Sequence, residues 1–542
     1  MCFKFEILHK AYNHRRNWNL ITSKIHHISI RFLGARDSGR ANWSGARSGS
    51  GVSQMRSSKE KECGGQEAIV EERYARSGGG PFFLALFSVQ ITRAAGLPSQ
   101  RSPEKLSPPT AKGEQDEMST PAFDELVSGT LDIEWVRQQF PSLGLRVNGQ
   151  PAAFLDGPAG TQVPRQVMIA VENYFLQANA NTCGAFLTSR RNDETILGAR
   201  VAMADFFHCA VDEVVFGQNM TTITLGLARA IGRELSPGDE ILLTTLDHDA
   251  NFSPWKALEE RGAVIRKVDI RESDCTLDLD DLKSKLSSKT KLVAVGYASN
   301  LVGSINPVEE IGRLAHAAGA MIFVDAVHYA PHGPIDVRAL DCDFLVCSPY
   351  KFFGPHMGTL YGRKQLLERF KPYKVRPATD AVPECWETGT QVQELIAGIH
   401  AAVEYLAALG RRSDPSARDR RAALLAAYGA TVAYERRLLT RLIEGLTAIP
   451  GLRFFGITDR ERFRERCSTV SFRLGKGSPQ EAAAFLGDRG IFTWDGNFYA
   501  LNLTERLGVE RQGGVLRVGI VHYNTSGEVE RLLAALNEFC AQ

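Results

Sequence analysis

The chain has 542 residues, 44% of them hydrophobic and 23% charged, a composition typical of a globular protein with enough apolar material for more than one domain. Lysine and arginine total 64 against 62 acidic residues, so the net charge of +2 gives no overall attraction to nucleic acid or to anionic membranes. The imbalance is local. Residues 1–117 carry 18 basic and 11 acidic side chains, or +7, which leaves 46 and 51, or −5, for residues 118–542.

Residues 1–117 are predicted to be a mostly disordered basic arm, because they are rich in Gly, Ser, Arg and Pro and show no sustained periodicity. Three interpretations of the arm stay open: a targeting peptide, a segment translated from a start upstream of Met118, and a nucleic-acid tether. The lack of interleaved aromatic residues speaks against the tether. The longest apolar run, residues 81–91, is about half of the ~20 residues that a membrane helix needs, so no membrane span is predicted.

Ten cysteines are scattered along the chain, with no CxxC pair and no spacing that indicates a disulfide framework. A reducing, cytoplasmic setting is the simplest interpretation of that pattern. No metal is expected among the cofactors.

From residue 118 onward, short apolar strands alternate with amphipathic helices, which is typical of an α/β fold with a largely parallel sheet covered by helices. The strands predicted for this sheet are, in chain order, residues 213–217, 240–245, 291–297, 321–325 and 343–347. Predicted helices between them include residues 221–233 and 307–318. A charged helical stretch over residues 391–446 follows. The chain ends in a smaller α/β segment with predicted strands 468–474 and 515–523 and a closing helix 526–539.

Two charged residues are predicted at the carboxyl ends of these strands, the edge where open α/β sheets bind ligands. Lys351, in Ser348-Pro-Tyr-Lys351, follows the strand 343–347. A desolvated lysine with a lowered pKa can react with an aldehyde cofactor, whereas a solvent-exposed lysine is the alternative. Asp325 follows four apolar residues and needs a partner, either a protonated pyridine nitrogen or the backbone of a turn.

Three further features suggest a ligand site, each with an ordinary structural alternative. The turn over residues 217–222 joins a strand to a helix and could bind a phosphate or simply cap the helix. His248 follows the strand 240–245 and could stack on a flat ring or serve the fold alone. Arg517 interrupts an apolar strand and is expected to meet a carboxylate, whether of a substrate or of the protein.

Taken in order, these segments resemble the class V aminotransferases and, within them, the cysteine desulfurases and a desulfurase-like subgroup. The resemblance extends from about residue 140 to residue 538. It rests on residues 154–160 (FLDGPAG), 179–181, 247–251 (DHDAN), 298–300, 305–307, 324–326, 348–351 (SPYK) and 522–525 (HYNT).

The resemblance implies the pyridoxal 5'-phosphate (PLP)-dependent transferase fold of type I. This fold has a large domain around a mostly parallel, seven-stranded sheet and a smaller C-terminal α/β domain. On this basis residues 118–153 are expected to pack on the small domain, residues 154–410 to form the large PLP-binding domain and residues 411–542 the small domain.

The resemblance also implies a role for each site residue. Lys351 would hold PLP covalently and move the Cα proton, Asp325 would pair with the pyridine nitrogen, and His248 would stack on the ring. Asn300 would lie near the phenolic oxygen and the substrate. His328, at the position where the family usually has Gln, could still donate a hydrogen bond to that oxygen.

The remaining roles concern the phosphate and the substrate carboxylate. The phosphate is expected against Ser348 and the amides of Gln218, Asn219 and Met220. Thr390 resembles the residue that reaches the phosphate from the second subunit of a homodimer. Arg517 resembles the arginine that binds the carboxylate of a small amino-acid substrate.

One departure from the family bears on the reaction. The segment that carries the nucleophilic cysteine in desulfurases reads TWDGNFYA here, over residues 493–500. A thiolate is needed to accept sulfur as a persulfide. The resemblance, together with this departure, implies a homodimeric PLP enzyme that acts at Cα or Cβ of a small amino acid by elimination, transamination or epimerisation. Two alternatives stay open: a true desulfurase that uses another cysteine, with Cys183 as the candidate, and a PLP-binding sensor without turnover.

Overall fold

The computed structural model describes residues 130–542 and one separate pair of short antiparallel strands, β1 (Arg73–Ala75) and β2 (Leu84–Leu86). The other residues before 130 lie outside the described residues. The predicted disorder of the arm, residues 1–117, falls on them.

The first described segment beyond β2 runs along the C-terminal part of the chain. Its elements are α1 (Ile133–Gln139), β3 (Arg146–Val147), β4 (Gln150–Pro151) and β5 (Ala153–Phe154). Asp132 caps α1 by accepting a hydrogen bond from the Trp135 amide at 3.0 Å. Arg137 of α1 donates to Glu528 at 2.9 Å and to the carbonyl of Tyr523 at 2.7 Å. These bonds join the segment to residues predicted to belong to the small domain.

A seven-stranded sheet lies at the centre of the next part of the chain. The elements from α2 to β14 are, in chain order, α2 (Arg165–Gln177), α3 (Leu187–Phe207), β6 (Val214–Gly217), α4 (Met220–Ile231), β7 (Glu240–Thr244), α5 (Ser253–Lys256), β8 (Val264–Val268), β9 (Ile270–Arg271), β10 (Thr276–Leu277), α6 (Leu279–Lys285), β11 (Thr290–Gly296), α7 (Val308–Ala317), β12 (Met321–Asp325), β13 (Phe344–Cys347) and β14 (Gly358–Gly362). The strand order in the sheet is β6-β14-β13-β12-β11-β7-β8, in which only β14 runs antiparallel to its neighbours. The predicted mostly parallel α/β sheet is confirmed.

The strands of this sheet are apolar on both faces because helices cover both. In β12, Ile322 and Val324 pack into one hydrophobic cluster and Phe323 into the other, as side chains alternate across a strand. All three side chains are fully buried. The predicted strand 321–325 coincides with β12, and the other four predicted strands end within one residue of β6, β7, β11 and β13.

Two strands of the sheet, β8 and β14, are not predicted from the sequence. β8 is an edge strand whose middle is exposed and carries Arg266 and Lys267, so it lacks an apolar run. β14 lies between two glycines, which favour turns. Gly358 is required because a Cβ there would lie 2.4 Å from the backbone carbon of Asn219, in the turn after β6.

The C-terminal part follows a further short helix, α8 (Lys364–Arg369). The remaining elements are α9 (Gln393–Ser413), α10 (Arg420–Thr447), β15 (Arg453–Phe455), β16 (Thr469–Arg473), α11 (Pro479–Asp488), β17 (Ile491–Phe492), β18 (Trp494–Gly496), α12 (Leu501–Arg506), β19 (Val515–Gly519) and α13 (Ser526–Ala541). A four-stranded antiparallel sheet has the order β15-β16-β19-β18, and β17 pairs with β5.

The helical stretch predicted over residues 391–446 is two helices, α9 and α10, separated at Asp414-Pro415 because proline cannot continue a helix and restricts the residue before it. The predicted domain boundary after residue 410 falls within the last turn of α9, and it stays a prediction. Among the described residues, no helix is both long enough and apolar enough to span a membrane.

Candidate active site

A cavity of about 350 Å³ lies at the carboxyl ends of the central strands, where parallel α/β sheets bind ligands. Eight of the eleven predicted site residues line it: Met220, His248, Asn300, Asp325, His328, Ser348, Lys351 and Arg517. The side chains of Gln218, Asn219 and Thr390 are exposed and do not line this cavity. The fold thus brings together residues that are up to 297 positions apart in the chain, from Met220 to Arg517.

Lys351 ends the short 3₁₀ turn that follows β13. Its amine donates a hydrogen bond to the carbonyl of Pro158. Desolvation, together with the positive charge of Arg517, lowers the pKa of Lys351 to about 7 against the opposing effect of Asp325. A large fraction of this amine is therefore neutral near pH 7, the form that reacts with an aldehyde.

Asp325 is the last residue of β12 and is 7% exposed. Its carboxylate accepts a hydrogen bond from the Val327 amide at 2.9 Å, and burial raises its pKa to about 6. Asp247, in the turn after β7, also lines the cavity and is held by Thr244 and Asn251. Burial raises the pKa of Asp247 to about 7. A cation placed against Asp325 would favour its ionised form.

His248 lies one residue beyond Asp247, at the cavity wall. Its Nδ1 accepts a hydrogen bond from the Ala250 amide at 3.0 Å, so the neutral ring carries its proton on Nε2. Desolvation lowers the pKa of His248 to about 4, which makes this ring neutral at pH 7. It stacks on Tyr499 with 5.3 Å between the ring centroids and 25° between the planes.

His328 and Asn300 present polar atoms that have no hydrogen-bond partner among the described residues. These atoms are both ring nitrogens of His328, which is 3% exposed, and Oδ1 of Asn300. Leaving a buried polar group unpaired costs about 1–3 kcal/mol, so both residues favour a ligand that carries hydrogen-bonding atoms. Burial holds the pKa of His328 well below its ordinary value.

The helix α4 begins at the cavity wall with Met220. A helix N-terminus offers free amides and a partial positive charge to an anion. The side chain of Asn219 accepts a hydrogen bond from the Thr222 amide at 2.9 Å and so caps this helix. Ser348, which is 2% exposed, lines the same cavity.

Thr390 and Gln218 line a second cavity of about 290 Å³, which is bordered by part of the turn after β6. The structure places both side chains at the protein surface. The predicted role of Thr390 across a subunit interface is compatible with its exposure and stays a prediction.

Arg517 lies in β19, is 4% exposed and lines the cavity. Its Nη1 donates a hydrogen bond to the carbonyl of Asn300 at 2.8 Å. Desolvation lowers the pKa of Arg517 to about 9, opposed by the charge of Asp156. Desolvation in turn raises the pKa of Asp156 to about 6.

Asp156 and Asp247 lie within the motifs FLDGPAG and DHDAN, but the sequence predicts no role for either residue. The signal was present, since each is a carboxylate in a largely apolar stretch at the end of a strand.

The segment over residues 493–500 forms the remaining wall, with Trp494, Phe498 and Tyr499 facing the cavity. No cysteine among the described residues lines this cavity. Cys183 is exposed and lines a separate cavity of about 1020 Å³ together with Thr390. No group of three or more His, Cys, Asp or Glu suited to a metal ion occurs in residues 130–542.

The family model for class V aminotransferases matches residues 153–532. The chain belongs to the class V aminotransferase family. As a member of that family it is a PLP-dependent enzyme that acts on a small amino acid, and the resemblance drawn from the motifs is confirmed.

Curated relatives of this class V enzyme include cysteine desulfurases. The cysteine desulfurase of Dickeya dadantii (strain 3937) is 32% identical over 422 residues, which cover 75% of this chain and 96% of that protein. The probable cysteine desulfurase of Synechocystis sp. is 33% identical over 417 residues, covering 74% of this chain and 94% of that protein.

Solved structures of cysteine desulfurases have the same fold as this chain. A cysteine desulfurase from Thermococcus onnurineus matches with a TM-score of 0.67 and 27% identity, over 77% of this chain and 99% of that one. A cysteine desulfurase from Escherichia coli matches with a TM-score of 0.65 and 25% identity, over 76% and 98%. The PLP-dependent transferase fold of type I is confirmed.

Proposed function

We propose that this class V enzyme binds PLP in the 350 Å³ cavity through Lys351 and eliminates the thiol of a small β-thiol amino acid. Cysteine, named in the descriptions of the relatives, is the first candidate substrate. The observation that carries the proposal is the convergence of a lysine with a lowered pKa, a buried carboxylate and a buried guanidinium around one cavity that no cysteine among the described residues lines.

The residues of the cavity fit the cofactor. PLP, when bound, draws electrons away from Cα of the amino acid and so weakens the bonds to that atom. Asp325 would keep a proton on the pyridine nitrogen, and the neutral ring of His248 would stack on the cofactor. The unpaired ring nitrogens of His328 and Oδ1 of Asn300 would satisfy their hydrogen bonds at the phenolic oxygen and the substrate.

The chain's own groups would then handle the substrate. Lys351, poised near pH 7, would take the proton from Cα, after which the bond from Cβ to sulfur breaks and sulfide leaves. Arg517 would bind the α-carboxylate. Ser348 and the N-terminus of α4 at Met220 would hold the phosphate. The predicted contacts between the phosphate and the backbone amides of Gln218 and Asn219 stay predictions, since neither residue lines the cavity.

A homodimer is part of the proposal. The helices α2 and α3 expose a run of large apolar side chains: Met168, Ile169, Phe175, Leu176, Leu187 and Leu197. Exposed apolar patches of this kind mark interaction surfaces, and a second copy would cover this one. Thr390 would complete the phosphate pocket of the partner.

Subunit complementation tests the shared site. Lys351→Ala chains mixed with a Thr390→Ala variant that binds PLP poorly should recover activity, because each heterodimer then holds one intact site. Lack of recovery under conditions where subunits exchange would contradict the shared site.

The proposal differs from desulfuration in the fate of sulfur. A desulfurase passes sulfur to a cysteine thiolate as a persulfide and leaves alanine, whereas elimination followed by hydrolysis converts cysteine and water to pyruvate, ammonia and sulfide. The segment at residues 493–500 offers aromatic side chains and no thiol. Cys183 lines a different cavity.

Product analysis decides between these outcomes. After incubation with L-cysteine and a reductant, we expect pyruvate, ammonia and sulfide in equal amounts, and no product from Lys351→Ala. Alanine formed in equal amount with sulfide, and abolished by Cys183→Ser, would establish a true desulfurase. A protein that binds PLP but converts none of a panel of small amino acids would be a sensor.

A further inference from the structure

Three residues form a closed ring of contacts at the cavity, in which Asn300 lies 198 and 217 positions from Phe498 and Arg517 in the chain. Nη1 of Arg517 donates a hydrogen bond to the carbonyl of Asn300 at 2.8 Å. Nδ2 of Asn300 donates to the carbonyl of Phe498 at 2.9 Å. The ring of Phe498 closes the circle, with its centroid 3.7 Å from Cζ of Arg517. Each residue thus restrains the other two.

The backbone of the segment at residues 493–500 has an uncommon conformation where it makes these contacts. Phe498 and Tyr499 have φ values of +56° and +60°, in the left-handed region that bulky residues rarely adopt. The carbonyl of Tyr499 accepts a hydrogen bond from the Asp249 amide at 2.7 Å, and the amide of Tyr499 donates to Asn497 at 3.1 Å. The segment is therefore fastened to the turn after β7 as well as to Asn300.

The position of Phe498 determines how Arg517 can bind a ligand. An aromatic face attracts a guanidinium without using its N–H donors, and a guanidinium has five such donors. With Phe498 on its face and Asn300 on one N–H, Arg517 can use its other N–H donors for a ligand in the cavity that this residue lines. A planar edge presented in this way suits a carboxylate, which accepts two parallel hydrogen bonds.

We infer that Phe498 is a positioning residue for Arg517 and that it gives the site its selectivity for ligands with an α-carboxylate. The inference rests on the proposed function, in which Arg517 binds that carboxylate. The Phe498 ring replaces water at a guanidinium that is 4% exposed and holds it in one orientation before the ligand arrives. No such role belongs to Trp494, which is half exposed at the start of the same segment.

A matched pair of ligands tests the inference. L-Alanine and ethylamine share an amine and a methyl group, but only L-alanine has the carboxylate. Their dissociation constants are measured from the absorbance change of the bound cofactor and by calorimetry. We expect Phe498→Leu to weaken L-alanine about tenfold and to leave ethylamine within twofold, because the lost contact acts on the carboxylate site alone. Phe498→Tyr keeps the aromatic face and should bind both ligands as the wild type does.

The controls separate this inference from the proposed function. If Phe498→Leu fails to fold or to bind cofactor, Phe498→Met keeps an apolar side chain without the aromatic face and replaces it. Equal losses for both ligands, or an unchanged preference for L-alanine, overturn the positioning role. A wild-type protein without preference for L-alanine, or one whose preference survives Arg517→Lys, overturns the carboxylate site itself.

Discussion

The two walls of the cavity are built on different principles. The sheet wall carries Lys351, Asp325 and His248, each at or just beyond the end of a buried parallel strand, and burial shifts the pKa of all three. The wall formed by residues 493–500 presents aromatic rings on a left-handed backbone held by hydrogen bonds to distant residues. In the proposed function, the first wall supplies the groups that react and the second determines the shape of the cavity.

This difference suggests how one fold can support more than one reaction. Asp325 is paired in register with Gly296 on one side and Val346 on the other, so the sheet holds it in place. Residues 493–500 pair with a neighbouring strand through the short strand β18, and hydrogen bonds to Asn300 and Asp249 hold the residues beyond it. Substitutions in the sheet wall should abolish the reaction. Substitutions in the wall formed by residues 493–500 should instead alter which ligand binds and which product forms.

The largest effect is expected at the reactive end of the sheet wall. Lys351→Ala should lower kcat by roughly a hundredfold to ten-thousandfold, the usual contribution of a positioned acid or base, and should lose covalently bound cofactor. Borohydride reduction followed by peptide mass spectrometry locates the modified lysine. Lys256→Ala, at an exposed lysine, is the control and should change nothing. A reduced adduct at any other lysine of Lys351→Ala would show that the cofactor lysine lies elsewhere.

A smaller loss is expected from the second residue of that wall. Asp325→Asn should lower kcat/KM roughly a hundredfold, because removing one partner of a buried charge pair costs about 3 kcal/mol. Asp343→Asn alters a carboxylate that is also 7% exposed but precedes β13 at the opposite edge of the sheet. That variant should lower the melting temperature without changing kcat. If both variants lose activity equally, Asp325 serves the fold and not the cofactor.

The pH dependence of cofactor binding tests whether the amine of Lys351, in the sheet wall, is desolvated. Because desolvation depresses the pKa of Lys351 to about 7, the neutral amine is present above that pH and is lost as the pH falls. The rate at which the apoprotein takes up PLP should therefore rise with a midpoint near pH 7. Asp156→Asn removes a negative charge that raises this pKa, so the midpoint should move to lower pH. A midpoint near pH 10 in the wild type would mean that the amine is solvated.

The smallest effect is expected from removing residues 1–117, since all residues that line the cavity lie beyond residue 150. Truncation should change the free energy of unfolding by less than about 1 kcal/mol and the melting temperature by less than about 2 °C. Calorimetry of the two chains provides the measurement. A drop of many degrees would show that the arm packs on the rest of the protein.

Most residues of the sheet wall could be predicted from the sequence because buried strands have a recognisable apolar composition. A strand covered on both faces must be apolar throughout, so a charged residue at its end stands out, as Asp325 does after Met321–Val324. Edge strand β8 and glycine-flanked β14 lack that pattern and escaped prediction. No role was predicted for Asp247, because the ligand-binding role in that motif was assigned to the neighbouring His248.

The sequence by itself determined the family, the cofactor and the residues at the strand ends, since each depends on a local order of residue types that the chain displays directly. It also excluded a cysteine from residues 493–500. Only the tertiary structure decided that Phe498 lies on Arg517, that Asn300 joins them, and that Cys183 lines another cavity. The contacts of Asn300 with Phe498 and Arg517 join residues 198 and 217 positions apart, and the geometry of the whole group depends on how the sheets, helices and turns pack, which no local pattern encodes.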